Sequence, residues 1–224
     1  MKSTFWQSVS IPAYSKGEER FNMISHIIGG ALGVITLVLC ITRAAVASSL
    51  FGMISGAVFG TCMILLYTVS SIYHGLSPRA AAKRVFRVLD HCAIFVLIAG
   101  TYTPYTLCAI SKVSPALGRT YFLLVWGLAL LGILLCAVNM QKFRALSMIL
   151  YLSMGWCVLF SFDTLCSAVS PTGIALLLAG GVAYTLGAVI FGLGRYIAYL
   201  HSVFHIFVLL GSFLHFLSVL LYVL

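Results

Sequence analysis

Seven apolar stretches, each long enough to cross a bilayer, constrain this chain more than any motif does: roughly 22–42, 50–74, 88–110, 119–139, 144–166, 173–194 and 198–223. A hydrocarbon layer about 30 Å thick needs about 20 residues of helix, and inside it every backbone polar group must be satisfied within its own segment. The expected fold is an all-α integral membrane protein, a bundle of seven transmembrane helices. It forms a single domain over 1–224 with a short tail at 1–20. Only 8% of the residues are charged, whereas soluble domains carry about 25%.

The net charge of +9 would suggest nucleic acid for a soluble protein. Here the basic residues sit in the short gaps between apolar stretches, as orientation charge beside lipid headgroups, and no nucleic-acid partner is expected. With the N-terminus in the cytosol, the inner side holds ten of them (Lys2, Lys16, Arg20, Arg79, Lys83, Arg84, Arg87, Lys142, Arg144, Arg195) and the outer side three (Arg43, Lys112, Arg119). That bias predicts a cytosolic N-terminus and, after seven spans, an external C-terminus. The polar start has no apolar leader region, so the first helix is expected to act as an uncleaved insertion signal. The seven cysteines lie scattered in apolar segments and read as packing residues without a disulfide framework. Gly29 and Gly33, at small-xxx-small spacing, suit close helix packing, and Pro104 should kink the outer half of the third helix.

Ionisable groups inside a membrane are costly and mark function. Glu19, Asn22 and His26 share one face at the start of the first helix, where they either brace a site or simply begin an interfacial helix. Ser70 and His74 close the second helix, Asp90 and His91 open the third, and His201 and His205 open the seventh. Because successive helices alternate in direction, all of these fall at one depth on the cytosolic side.

The simplest chemistry for that convergence is a zinc site with His74, His201 and His205 as protein ligands. Three imidazoles leave the open position that catalytic zinc uses. Asp90 is then either a fourth ligand or the holder of the metal's water. Ser70 either bonds a substrate carbonyl or its oxyanion, or bonds back to its own helix. His91 points away from Asp90 and reads as a packing or interhelical hydrogen-bonding group. His215 lies about 15 Å beyond His205, too far for the same ion, and either lines a cavity or satisfies a neighbouring helix. Asp163 reads as a solvated interfacial group.

The combination of E-x2-N-x3-H (Glu19, Asn22, His26), S-x3-H (Ser70, His74), the run LDHCAIFVLIAGTYTP from Leu89 to Pro104, and HSVFHIFVLLGSFLH from His201 resembles the hemolysin III group. This is the bacterial branch of the progestin and adipoQ receptor family. The resemblance covers nearly the whole chain, from about Glu19 to Leu224. It implies Zn2+ on His74, His201 and His205, with Asp90 on the metal's water and Ser70 beside it, in a seven-helix bundle with a cytosolic N-terminus. Some relatives are linked to hydrolysis of ceramide-like lipid amides, and bacterial ones to haemolysis or membrane-lipid homeostasis.

The short tail differs from the long N-terminal region of the receptor branch and points to the compact bacterial type. The expected activity is zinc-dependent hydrolysis of a lipid amide or ester in the bacterial cytoplasmic (inner) membrane. The alternatives are a non-enzymatic membrane-state sensor with structural zinc and a cytolytic pore. Expected partners are membrane lipids or a fatty-acyl substrate, with a homo-oligomer as a further option.

Overall fold

The computed structural model describes residues 9–194 and 197–224, so Lys2 and Arg195 of the charge count lie outside the described residues. Seven helices are long and apolar enough to span a membrane, and no strand occurs among the described residues. They are α1 (Lys16–Val46), α2 (Leu50–Gly75), α3 (Ala81–Val113), α4 (Pro115–Asn139), α5 (Arg144–Ala168), α6 (Pro171–Leu193) and α7 (Leu200–Tyr222).

Two helices start earlier than their apolar windows. α1 begins at Lys16 rather than near 22, because Ser15 caps it: the Glu18 amide donates to Ser15 Oγ, and the Ser15 amide donates back to the Glu18 carboxylate. Residues 16–20 are therefore helix and not tail, and Asn22 sits two turns in, fully buried. α3 begins at Ala81 rather than near 88, since Lys83 and Arg87 are both buried among neighbours.

The Glu18 carboxylate also takes the amide of Tyr199 at 2.8 Å, fixing the start of α7 against the start of α1. Tyr199 holds φ at 63°, in the left-handed region, one residue before α7 begins. Its backbone conformation is costly for a side chain of this size and is held by that carboxylate contact.

α1 and α2 meet along a seam of small residues. A Cβ on Gly33 would stand 2.9 Å from the Ile64 amide nitrogen, and one on Gly29 would enter the Tyr67 ring, so both positions require glycine. α3 is the central helix: 78% of its apolar window is buried, against 28% for each of α4, α5 and α6, which turn leucine and isoleucine outward.

Pro104 does not interrupt α3. It has no N–H to donate, and the chain beyond it widens into a π-helix over Tyr105–Ile110. α5 passes through a 3-10 segment at Cys157–Ser161. There the Tyr102 hydroxyl of α3 donates to the Gly155 carbonyl at 2.9 Å and accepts from the Val158 amide at 3.1 Å. The freed backbone groups are thus satisfied from a neighbouring helix, as apolar surroundings demand.

Candidate metal centre

At the end of the bundle where α1, α3, α5 and α7 begin, His74 in the last turn of α2 faces His201 and His205 in the first two turns of α7. All three are buried, and their ligand atoms lie within 4.8 Å of one another. The Nε2 atoms of His201 and His205 stand 3.2 Å apart. Without an ion this is hydrogen-bond distance, and two nitrogens on one tetrahedral metal, each about 2.0–2.1 Å from it, are also about 3.3 Å apart, so the pair could take one ion with little movement. His74 Nε2 is buried and has no hydrogen-bond partner. A buried unpartnered nitrogen facing two others fits a cation and otherwise carries a desolvation cost.

The far nitrogens of two of these rings are tied down in a way that leaves Nε2 as the lone-pair side. His74 Nδ1 donates to Glu19 Oε2 at 2.6 Å, and the other Glu19 oxygen accepts from Lys83 Nζ at 2.7 Å. Lys83 is fully buried; it also donates to the Leu76 carbonyl at 2.8 Å and lies over the Tyr73 ring. Ser25 Oγ donates its single proton to the Asn22 carbonyl at 2.9 Å. At 3.3 Å it can therefore only accept from His205 Nδ1–H. A carboxylate on His74 and a hydroxyl acceptor on His205 each fix the tautomer of the ring, as outer partners of metal-binding histidines do. The Tyr14 ring stacks on His201 with centroids 4.8 Å apart. Burial holds its phenol above the ordinary tyrosine range, so it covers the cluster as a neutral group.

The converging ligand atoms are those of the three histidines, with Asp90 not among them, and Asp90 and Ser70 share another surface. Both side chains instead line a cavity that also touches His205 and His26. Neither makes a hydrogen bond among the described residues, whereas Ser71 bonds back to the Tyr67 carbonyl at 2.7 Å. His26 stacks on His205 with centroids 3.7 Å apart, and both of its nitrogens lack partners. His91 also faces the cavity while its Nδ1 donates to the Arg87 carbonyl at 2.9 Å.

From these groups the cavity runs between α3, α5, α6 and α7 as far as Tyr105 and His215, with Leu97, Ile98, Leu177 and Val208 along its walls. The space it leaves for water-sized groups is about 180 Å³.

The sequence pattern singled out Glu19, Asn22 and His26 with bracing as one of two readings; the structure makes Glu19 the brace of His74 and buries the other two. It gave no notice of Lys83, read as orientation charge in a loop, or of Ser25 and Tyr14. The signal for Lys83 was its position four residues before Arg87, on one face of a helix that begins earlier than its apolar window.

A family model described as haemolysin-III related matches residues 14–216. A hemolysin-3 homolog of Bacillus subtilis is 38% identical over 92% of this chain and 94% of its own. Hemolysin-3 of Bacillus cereus is 36% identical over 92% of each chain. More distantly, the monocyte to macrophage differentiation factor of Homo sapiens is 25% identical over 74% of this chain and 69% of its own.

Proposed function

The chain belongs to the haemolysin-III related family, the bacterial branch of the progestin and adipoQ receptor family, and from that premise we propose that this multi-pass membrane protein is a zinc-dependent hydrolase of lipid amides or esters. It resides in the bacterial cytoplasmic membrane, with the N-terminus and the histidine end cytosolic and the C-terminus outside. The ten-to-three distribution of basic residues supports that orientation. The observation that carries the reading is the junction of three histidines with a long, mostly apolar cavity whose lining includes a single carboxylate, Asp90, and the Ser70 hydroxyl.

His74, His201 and His205 would hold the metal, which when bound would supply Lewis acidity and lower the pKa of water at the site. The cavity takes the acyl chain and excludes water from it, which sets the carbonyl beside the histidines. Ser70 donates its hydroxyl proton to the carbonyl oxygen as negative charge develops there. Asp90 accepts the proton lost by the attacking water and delivers it to the nitrogen or oxygen that leaves when its bond to the acyl carbon breaks.

The test is turnover of acyl-amide and acyl-ester lipids by the full chain in vesicles. Chelation should abolish it and readdition of zinc restore it, while Asp90→Ala should lower it by about 10²-fold or more with metal retained. Turnover indifferent to both changes rules the reading out.

A second reading has a specific observation behind it: the ligands come from α2 and α7, and Glu19 and Lys83 bind α1 and α3 to the same cluster. Zinc would then staple a membrane-state sensor, and chelation would lower thermal stability with no turnover to lose. The pore reading gains nothing from the cavity, whose walls are apolar side chains rather than rings of charge.

A further inference from the structure

At the far end of the cavity, about 15 Å from His205 along α7, His215 holds a buried hydrogen-bond acceptor with no partner among the described residues. Its Nε2–H donates to the Leu177 carbonyl at 3.0 Å. The Cδ2–Nε2 edge of the ring is seated against Gly180, where a Cβ would collide with it. Nδ1 is the ring vertex opposite that edge, so it faces away from α6 and keeps its lone pair. His215 is 7% exposed and lines the cavity.

The Tyr105 hydroxyl, on the same cavity wall, is also buried and without a partner. The other polar groups near this end are already committed. Tyr67 donates to Ser212 at 2.6 Å, Tyr184 bonds the same hydroxyl at 2.7 Å, and Tyr102 is held by Gly155 and Val158. A lone-pair nitrogen in an apolar chamber calls for a donor; ketones, ethers and plain hydrocarbon cannot supply one.

We infer that the cavity selects a lipid chain bearing a hydroxyl in its outer half, which donates to His215 Nδ1 and can accept from the Tyr105 hydroxyl. The inference rests on the cavity being an acyl-chain site, and it adds the chemical class of chain. Both ends of the ligand are then read by polar groups: its carbonyl at the histidine cluster and its hydroxyl at His215. The intervening methylenes lie against Leu97, Ile98, Leu177 and Val208.

The experiment is equilibrium binding of two probes to the full chain in detergent: stearate, and a hydroxystearate whose hydroxyl lies in the outer half of its chain. Trp156, on the cavity wall, provides a fluorescence signal. The hydroxy acid should bind about 10-fold more tightly, the magnitude of one hydrogen bond to an otherwise unsatisfied buried group. His215→Leu should remove that preference while leaving stearate binding within about 2-fold, and Tyr105→Phe should reduce it in part. Equal binding of the two acids by the unsubstituted protein overturns the inference and means that water satisfies Nδ1. A preference that survives both substitutions overturns it as well. Binding of neither acid overturns the acyl-chain reading of the cavity itself, a different result from equal binding.

Discussion

The two ends of one cavity differ in how densely polar groups are placed and in how far they are linked. At the histidine end, polar side chains from α1, α2, α3 and α7 crowd together: Lys83 bonds Glu19, Glu19 bonds His74 and Ser25 bonds His205, while both His26 nitrogens, the Asn22 amide and His74 Nε2 are buried among them without partners. At the far end, two polar atoms stand unpartnered in apolar walls, His215 Nδ1 and the Tyr105 hydroxyl. In lipid, where helices gain little from apolar contact with each other, a linked polar set fixes helix positions. Isolated polar atoms add little to that and are better suited to meeting a ligand. The first end links four helices around three histidines that could hold a metal ion, and the second leaves two polar atoms open to a ligand.

Substitutions can break this contrast. The largest effect is expected from His205→Ala, which should lower bound zinc from about one per chain to near none, measured by elemental analysis of purified protein. Retention of the metal would place it elsewhere. Next is Glu19→Gln. It keeps the size of the side chain but weakens the hold on His74 Nδ1, so zinc affinity should fall about 10–100-fold in a competition titration with a chelator. An unchanged affinity would mean that Glu19 serves the ion pair with Lys83 and not the metal. The smallest is Tyr102→Phe at the far half. Losing the hydrogen bonds to Gly155 and Val158 should cost about 1–3 kcal/mol of thermal stability and leave zinc content unchanged. A fall in zinc content with Tyr102→Phe would show that the two ends are coupled and that the contrast between them is too sharply drawn.

The sequence carried the seven spans because the cost of a polar backbone in hydrocarbon acts on every residue of a segment, and twenty-residue apolar runs leave no other solution. It also carried the depth of the histidines, since rise per residue and alternating helix direction fix height in a membrane. His74, His201 and His205 are brought together at that depth. Helix rotation was not legible. With apolar residues on nearly every face of α4 and α6, hydrophobicity does not tell the inside from the lipid side. The burial of Lys83 was hidden for a related reason: a lysine near a helix start reads as interfacial until the carboxylate that meets it is placed.

The sequence by itself therefore determined that this is a membrane bundle of the haemolysin III kind and which side chains share one level of it. Only the tertiary structure decided that Glu19 and Ser25 orient two of the histidines, that Tyr14 covers a third, and that a cavity leads from them to an unsatisfied nitrogen on His215. The physical reason is that height in a membrane follows from counting residues. Hydrogen bonds depend instead on side-chain direction and on the rotation of each helix about its axis, which packing alone sets.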